Sequence, residues 1–362
     1  MRIADYGLPF WGLGHMKIAV AMSGGVDSST VASLLVEAGH EVVGIFMRLV
    51  PQDSRSPLRP SDPRDAQRVA GFLGIRLEVL DFRDQLDALV AYFCSEYDAG
   101  RTPNPCVVCN RWIKFGRLLE AARQLGAECF ATGHYARITS EGGRHLLRRG
   151  RDPAKDQSYM LFGLTQAQLG CALFPLGEHR KDEVRRMARE RGLPVHERAE
   201  SQDICFLPDR DYMALLRERL GDRIRPGPIL DTAGRVLGQH PGCQGFTIGQ
   251  RQGLRVALGT PRYVVRIDRA ANAVVIGTKE DLLRETMHVS QVNWIAFDEP
   301  PAAIEAGVQI RYNHKPAPAL IEPQPDGGAR VSFREPEAGI TPGQAAVFYQ
   351  DALVLGGGWI EG

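Results

Sequence analysis

Seven cysteines are scattered through the 362 residues, and two of them stand together in NPCVVCN, Asn104 to Asn110. A Cys-x-x-Cys pair can hold a metal, cycle as a dithiol or present a nucleophile, and the spacing alone does not choose. A structural zinc would need two further ligands at tight spacing, and the sequence offers no second Cys-x-x-Cys and no closely spaced His pair. A thioredoxin-like dithiol belongs at the first strand-to-helix junction, whereas this pair lies far along the chain behind Pro103 and Pro105. The three readings stay open at this point, and a thiol nucleophile would need a reaction to serve.

A second chemical stretch supplies one. SGGVDS, Ser23 to Ser28, follows the apolar run KIAVAM and precedes an amphipathic segment with Val31, Leu34, Leu35 and Ala38 at helical spacing, closed by Gly39. In such a strand, tight loop and helix, backbone N–H groups and the helix N-terminus aim at one spot and favour an anion there. Gly24 and Gly25 allow close approach. Ser23 and Ser28 offer hydroxyls, and the Asp27 carboxylate suits Mg²⁺. The cradle therefore comprises Ala21, Met22, Ser23, Gly24, Gly25, Val26, Asp27 and Ser28. It lacks the spacing of a Walker loop.

The elements that must position these groups alternate. Strands are expected over Lys17–Met22, Glu41–Met47, Arg76–Phe82 and Glu128–Gly133. Helices are expected over Pro63–Leu73, Asp84–Tyr97 and from about Ile113 to Leu125, with the cysteines in a loop before the last of these. That alternation predicts an α/β domain, a parallel sheet with helices on both faces. After a helix near Asp211–Leu220 come short runs between Gly and Pro turns, a small β-rich central domain. From about Thr286 to the end, short runs separated by turns predict an antiparallel β-barrel. The expected divisions are residues 1–15 as an N-terminal extension, 16–221, 222–284 and 285–362.

Composition bounds the rest. Hydrophobic content of 44% and charged content of 24% are ordinary for a globular chain, and no apolar run approaches the ~20 residues that span a bilayer. Residues 1–15 make a poor signal peptide and read as an extension upstream of a second initiator, Met16. An odd, scattered set of cysteines fits a reducing cytoplasm. A net charge of +1 neither demands nor excludes nucleic acid.

SGGVDS resembles the pyrophosphate loop of ATP pyrophosphatases, which split ATP between the α and β phosphates and adenylate a carbonyl oxygen. Further stretches narrow the likeness. GRTPNPCVVCNRWIKF (Gly100 to Phe115), ATGHYAR (Ala131 to Arg137), KDQSYML (Lys155 to Leu161), DICF (Asp203 to Phe206), FTIGQRQGL (Phe246 to Leu254) and TPGQAAVFY (Thr341 to Tyr349) are similar, in this order, to bacterial tRNA-specific 2-thiouridylases. The resemblance runs from Met16 to the C-terminus.

It implies an adenine-nucleotide α-hydrolase-like domain and a sulfurtransferase that adenylates the C2 oxygen of the wobble uridine in tRNA for Lys, Glu and Gln, then exchanges that oxygen for sulfur. The implied cofactors are ATP and Mg²⁺. The implied partners are the tRNA anticodon stem-loop and a sulfur-donor protein carrying a persulfide, with no DNA and no membrane. By motif match, Cys205 carries the persulfide and Cys109 closes a disulfide with it. Met47 and Gly133 would lie at the nucleotide, and His134, Lys155, Asp156, Gln157, Arg311, Tyr312 and Gln344 would meet tRNA. Some family members have Asp where Cys106 stands, so the proton transfer falls to Asp203, water or the thiol itself. Two alternatives stay open: an iron–sulfur cluster on Cys106, Cys109 and Cys205, or a different ligase with the same loop.

Overall fold

Lys17–Ala21 (β1) is a β-branched run whose three central residues are all buried. Successive strand residues face opposite sides, so burial of Ile18, Ala19 and Val20 together means that both faces of the sheet are covered. The computed structural model describes residues 14–50, 58, 61–198, 204–207, 211–254, 256 and 259–362. Asp203, one of the expected proton acceptors, lies outside the described residues.

After β1 come Val26–Glu37 (α1), Glu41–Arg48 (β2), Arg64–Leu73 (α2), Arg76–Asp81 (β3) and Arg83–Asp98 (α3). Left-handed Gly39 and Gly74 end α1 and α2, as a residue without a Cβ can. Pro105–Cys109 (α4) runs directly into a π-helical stretch, Asn110–Leu118, and then Leu119–Gln124 (α5). Cys129–Ala131 (β4), the hairpin Ala136–Glu141 (β5) and Arg144–Arg149 (β6), Gln166–Leu169 (α6), Ala172–Leu173 (β7) and Lys181–Glu190 (α7) follow.

The two cysteines of NPCVVCN thus sit on a helix and not in the expected loop. Pro105 is its first residue, the one helical position where the missing N–H costs nothing. Cys106 and Cys109, three apart, therefore share a face.

The five strands pair in the order β3-β2-β1-β4-β7, all parallel. The order reverses between β1 and β4, and in open parallel sheets the crevice beyond that point is where ligands sit. Ile18, Val20 and Met22 pack with Val31, Leu34 and Leu35 of α1 and Val69 of α2. Each such buried side chain contributes about 1.5–3 kcal/mol.

The chain divides into two compact units. The first holds the parallel sheet and includes Cys106–Phe206. The second comprises Asp87–Pro105, Leu207–Asp351 and Leu355–Gly362. In the second unit, Tyr212–Leu220 (α8) leads to Gly227–Asp231 (β8), Val236–His240 (β9), Tyr263–Asp268 (β10) and Ala273–Gly277 (β11), ordered β10-β11-β8-β9. Leu283–Trp294 (β12), Ile304–Gln309 (β13), Ala317–Pro323 (β14), Ala329–Ala338 (β15), Ala345–Gln350 (β16) and Leu353–Ile360 (β17) then run β12-β15-β14-β13-β16-β17, and β12 pairs again with β17. This is the expected antiparallel barrel, closed on itself.

Most of α3 belongs to the second unit, which sequence order did not suggest. Asp98 at its end holds Arg223 at 3.0 Å, Arg269 at 2.8 Å and the Gln244 amide at 3.1 Å. Its side chain is only 17% exposed. Asp98→Ala is expected to leave three donors without their acceptor and lower stability by about 2 kcal/mol, read as a lower denaturant midpoint.

Candidate active site

The phosphate loop is shaped by its own small side chains. The Ser23 N–H donates to Ser28 Oγ at 3.2 Å, and the Ser29 hydroxyl donates to the Gly25 carbonyl at 2.8 Å. Gly24 has φ +72°, and a Cβ there would lie 2.9 Å from Asp65 Cβ. Gly25 caps α1 without any side-chain hydrogen bond to the helix N-terminus, so the first N–H groups are not claimed by a capping side chain. Arg198 donates to the Gly24 carbonyl at 2.7 Å and pairs with Asp65 at 2.6 Å, pinning the loop from outside.

Asp27, expected to face a metal, already has company. Lys181 Nζ donates to both of its oxygens, at 2.6 and 2.7 Å, and the Tyr135 hydroxyl donates to Oδ1 at 2.8 Å. Lys181 opens α7, where its own N–H donates to Asp152 Oδ2 at 2.9 Å, and it is 9% exposed. Its ammonium lies 5.7 Å from the centre of the Tyr135 ring.

Thr132 to Tyr135, just past β4, link the loop to the cysteine side. A Cβ on Gly133 would stand 3.0 Å from Asp27 Cβ and 3.1 Å from Ser28 N, so only glycine lets this backbone lie against the loop. His134 is buried. Its Nδ1 lies 2.6 Å from the Thr132 hydroxyl and its Nε2 3.4 Å from Lys114 Nζ. Burial, reinforced by the Lys114 cation, holds the imidazole well below its usual range, so His134 is neutral at neutral pH. The Tyr135 N–H donates to Gln157 Oε1 at 3.0 Å. Met47 is half-buried at the end of β2.

A depressed histidine has a sign in stability. Above pH 6.5 the folded and unfolded rings are both neutral; below it only the unfolded ring takes up a proton, so stability falls as pH falls. His134→Gln is expected to flatten part of that acid-side loss, measured as Tm between pH 7 and 5. His179 and His240 are shifted in the same direction and keep the remainder.

Cys106, Cys109 and Cys205 are free thiols, near enough for Cys205 to act electrostatically on the other two. Burial pushes the Cys109 thiol up to about 12, Lys114 opposes the rise, and Cys205 and Cys106 add to it. The Cys106 side chain is exposed at its surface, yet protein crowds its sulfur enough to raise the thiol to about 11, with Cys205 adding and Lys114 opposing. Cys205 is exposed. Asn110, the residue after Cys109, donates from Nδ2 to the Met160 carbonyl at 3.1 Å, while its buried Oδ1 has no hydrogen-bond partner.

The residues expected at tRNA fall into two kinds. Asp156 is buried and saturated: its carboxylate accepts from Arg149, the Gly150 and Ser158 N–H groups and the Ser158 hydroxyl. It shapes the turn that carries half-buried Lys155 and Gln157. In the second unit, Arg311 donates to the carbonyls of Ile248 and Gly339 and to the Thr341 hydroxyl, beside exposed Tyr312. Gln344 donates to the Thr102 and Pro103 carbonyls at 3.0 and 3.1 Å, so it holds the segment that leads into NPCVVCN. Sequence reading did not single out Lys114, Tyr135, Lys181 or Arg198. Lys114 and Tyr135 lay inside quoted motifs, and Lys181 in a charge run that resembles a solvated helix face.

Comparison with known proteins gives three domain matches: a tRNA methyl transferase HUP domain over residues 16–209, a tRNA methyl transferase PRC-barrel domain over 214–278 and an aminomethyltransferase beta-barrel domain over 284–360. The tRNA-specific 2-thiouridylase MnmA of Moorella thermoacetica is 51% identical over 94% of this chain and 98% of its own length. That of Carboxydothermus hydrogenoformans is 48% identical over 96% and 98%. The domain names speak of methyl transfer, but the relatives match nearly end to end and decide the family. Among solved structures, the U34-tRNA thiolase NcsA from Methanococcus maripaludis with its [4Fe-4S] cluster overlaps 57% of this chain and 64% of that chain, at TM-score 0.35 and 19% identity. Nothing about the site follows from so distant a likeness.

Proposed function

Because the chain belongs to the tRNA-specific 2-thiouridylase family, we propose that it uses ATP to replace the C2 oxygen of the wobble uridine with sulfur, in tRNA for Lys, Glu and Gln. The observation that carries this reading is the segment Thr132–Tyr135. Gly133 and Tyr135 abut the phosphate loop, and His134 abuts Lys114, the cation that faces both Cys106 and Cys109. An adenylating centre and a thiol centre thereby share one short stretch of backbone.

ATP phosphates are received by the α1 N-terminus and the Ser23–Ser28 amides. Asp27 fits a hard cation, since its carboxylate has about four acceptor sites and Lys181 and Tyr135 use three. When bound there, Mg²⁺ neutralises phosphate charge. The uridine C2 oxygen attacks the α-phosphorus and pyrophosphate leaves, which turns a poor leaving group into AMP. The terminal sulfur of a Cys205 persulfide attacks C2 and AMP departs. Cys109, as thiolate, then attacks Cys205 Sγ. The bond from Sγ to the transferred sulfur breaks, the sulfur stays on C2 as a thiocarbonyl, and a Cys109–Cys205 disulfide remains for an external thiol to reduce.

Exposed Cys205 suits delivery of persulfide sulfur by a donor protein. The wobble base reaches the thiols by leaving the anticodon stack, with His134, Lys155, Gln157, Arg311, Tyr312 and Gln344 supporting the RNA. Among the described residues no three His, Cys, Asp or Glu side chains are grouped to hold a metal ion, and the steps above route nothing through a cluster on Cys106, Cys109 and Cys205. Among the described residues no helix is long and apolar enough to cross a membrane, and a reducing cytoplasm is the compartment in which the disulfide recycles. The test is AMP release. It is expected with tRNA bearing a wobble uridine and not with the same tRNA bearing cytidine there; release indifferent to that base removes the reading.

A further inference from the structure

A cavity of about 530 Å³ lies where β10 meets the outer face of β12 and β15, and every residue lining it belongs to the second unit. Ile248 of FTIGQRQGL and Pro342 of TPGQAAVFY line it, from two stretches of the family likeness outside the first unit. With Val265 and Ile340 they make one side apolar, and all four are half-buried, so that side still meets solvent. Val265 is the extra residue where the β10–β11 register slips between Val264 and Arg266, a bulge of the kind that re-aims a side chain.

The other side carries charge. Along β12, Met287 and Val289 are buried while Thr286 and His288 are exposed, so the latter two point outward from the barrel, and Arg330 stands opposite His288 on β15. Arg284 and Arg330 both line the cavity. Arg284 donates to the Asp281 and Leu283 carbonyls at 3.0 and 2.8 Å, neither of which neutralises it. No carboxylate among the described residues forms an ion pair with Arg330, although Glu322 is its neighbour on β14. Glu361, the one acidic side chain of the cavity, is taken by Arg101 at 2.7 Å and by the Ser290 hydroxyl. The balance of side-chain charge is therefore cationic.

We propose that this cavity binds a nucleotide, with its phosphate ester on Arg284 and Arg330 and its base against the apolar side. A bare phosphate would leave Ile248, Val265 and Ile340 wet, and an acyl chain would bury two guanidinium groups without a partner. A nucleotide answers both sides. Guanidinium grips phosphate oxygens in bidentate pairs, and a base joins an apolar face to polar edges suited to the Gln324 amide and the Thr286 hydroxyl that also line the cavity. The volume is right as well, since ligand cavities run from about 300 to 1,000 Å³. The nucleotide comes either free from solution or as one residue of an RNA strand, and the second source rests on the thiouridylase reading.

The experiment titrates the full-length protein with CMP by equilibrium dialysis and, separately, with tRNA bearing a wobble uridine by filter binding, both without ATP or a sulfur source. Arg330→Gln is expected to weaken whichever ligand binds by about tenfold. Ile248→Ser, which strips the apolar side and leaves the charges, is expected to weaken the same ligand severalfold. Saturable CMP binding lost in both variants identifies a free nucleotide. No CMP binding, with tRNA affinity lowered in both variants at unchanged Tm, identifies a residue of the RNA. Arg235→Gln removes an exposed cation of the same unit, outside the cavity, and is expected to stay near wild type. Unchanged binding of both ligands in Arg330→Gln overturns the proposal. Equal weakening by Arg235→Gln overturns it too, as does an Arg330 effect without an Ile248 effect, because general attraction or a surface phosphate contact would then suffice. Wild-type thiouridine formation is followed in parallel, so failure of the functional reading is distinguishable from failure of this site.

Discussion

Cys109→Ser is expected to stop turnover while trapping the RNA on the protein. Without the thiol that attacks Cys205 Sγ, the transferred sulfur remains bonded both to C2 and to Cys205, a tRNA–protein adduct joined by one disulfide bond. A gel shift that disappears with dithiothreitol, and that liberates 2-thiouridine as it does so, is the expected signature. Cys205→Ser lacks the sulfur carrier and is expected to form no adduct and no thiouridine, a loss on the order of a thousandfold or more, while pyrophosphate release, which precedes sulfur attack, still occurs. Cys109 is 8% exposed and Cys205 is exposed, which suits a buried resolving thiol and an accessible receiving one. Cys106→Asp is expected to keep activity within about tenfold, because a carboxylate can accept the proton that the thiol or a water would otherwise take. An adduct from Cys205→Ser, or wild-type rates from Cys109→Ser, would reverse or remove these roles.

Lys181→Met is expected to weaken the nucleotide half by about a hundredfold. Two charge-assisted hydrogen bonds tie Lys181 to Asp27, and such bonds contribute about 1.5–3 kcal/mol each. Losing the orientation of Asp27 within the phosphate loop should cost about 3 kcal/mol of transition-state binding, roughly a hundredfold in AMP formation. The stability effect is expected to be smaller, about 1 kcal/mol, because Asp27 is 33% exposed and water can solvate it once its partner is gone. That contrast is the check: AMP formation falling far more than the denaturant midpoint. Lys181→Arg should retain most activity. A Lys181→Met enzyme that unfolds readily but releases AMP at the wild-type rate would make the pair a structural tie and nothing more.

What the sequence made legible was local. The strand, loop and helix around SGGVDS are fixed by β-branched residues, two glycines and a helical apolar stripe within about twenty residues, and β1 and α1 appear where that pattern places them. The cysteine segment was misread as loop because Pro103 and Pro105 punctuate it; Pro105 instead begins α4. The contacts that organise the site join residues far apart in the chain. Lys181 meets Asp27 across 154 positions and Gln344 meets Thr102 across 242, and no periodicity encodes such pairs. The π-register of Asn110–Leu118 was equally hidden, since its apolar residues Ile113, Phe115 and Leu118 also suit an ordinary helix. Asp156 shows the opposite error: a polar turn residue whose oxygens look available in sequence has them filled by its own loop.

The central claim is that the phosphate loop and the cysteines serve one reaction. It is tested most directly by mass spectrometry of nucleosides from tRNA incubated anaerobically with the purified protein, Mg²⁺ and a persulfide source, with and without ATP. The account predicts 2-thiouridine only when ATP is present, with AMP formed in step. AMP without thiouridine, from protein whose Cys205 is shown to carry persulfide, would contradict it.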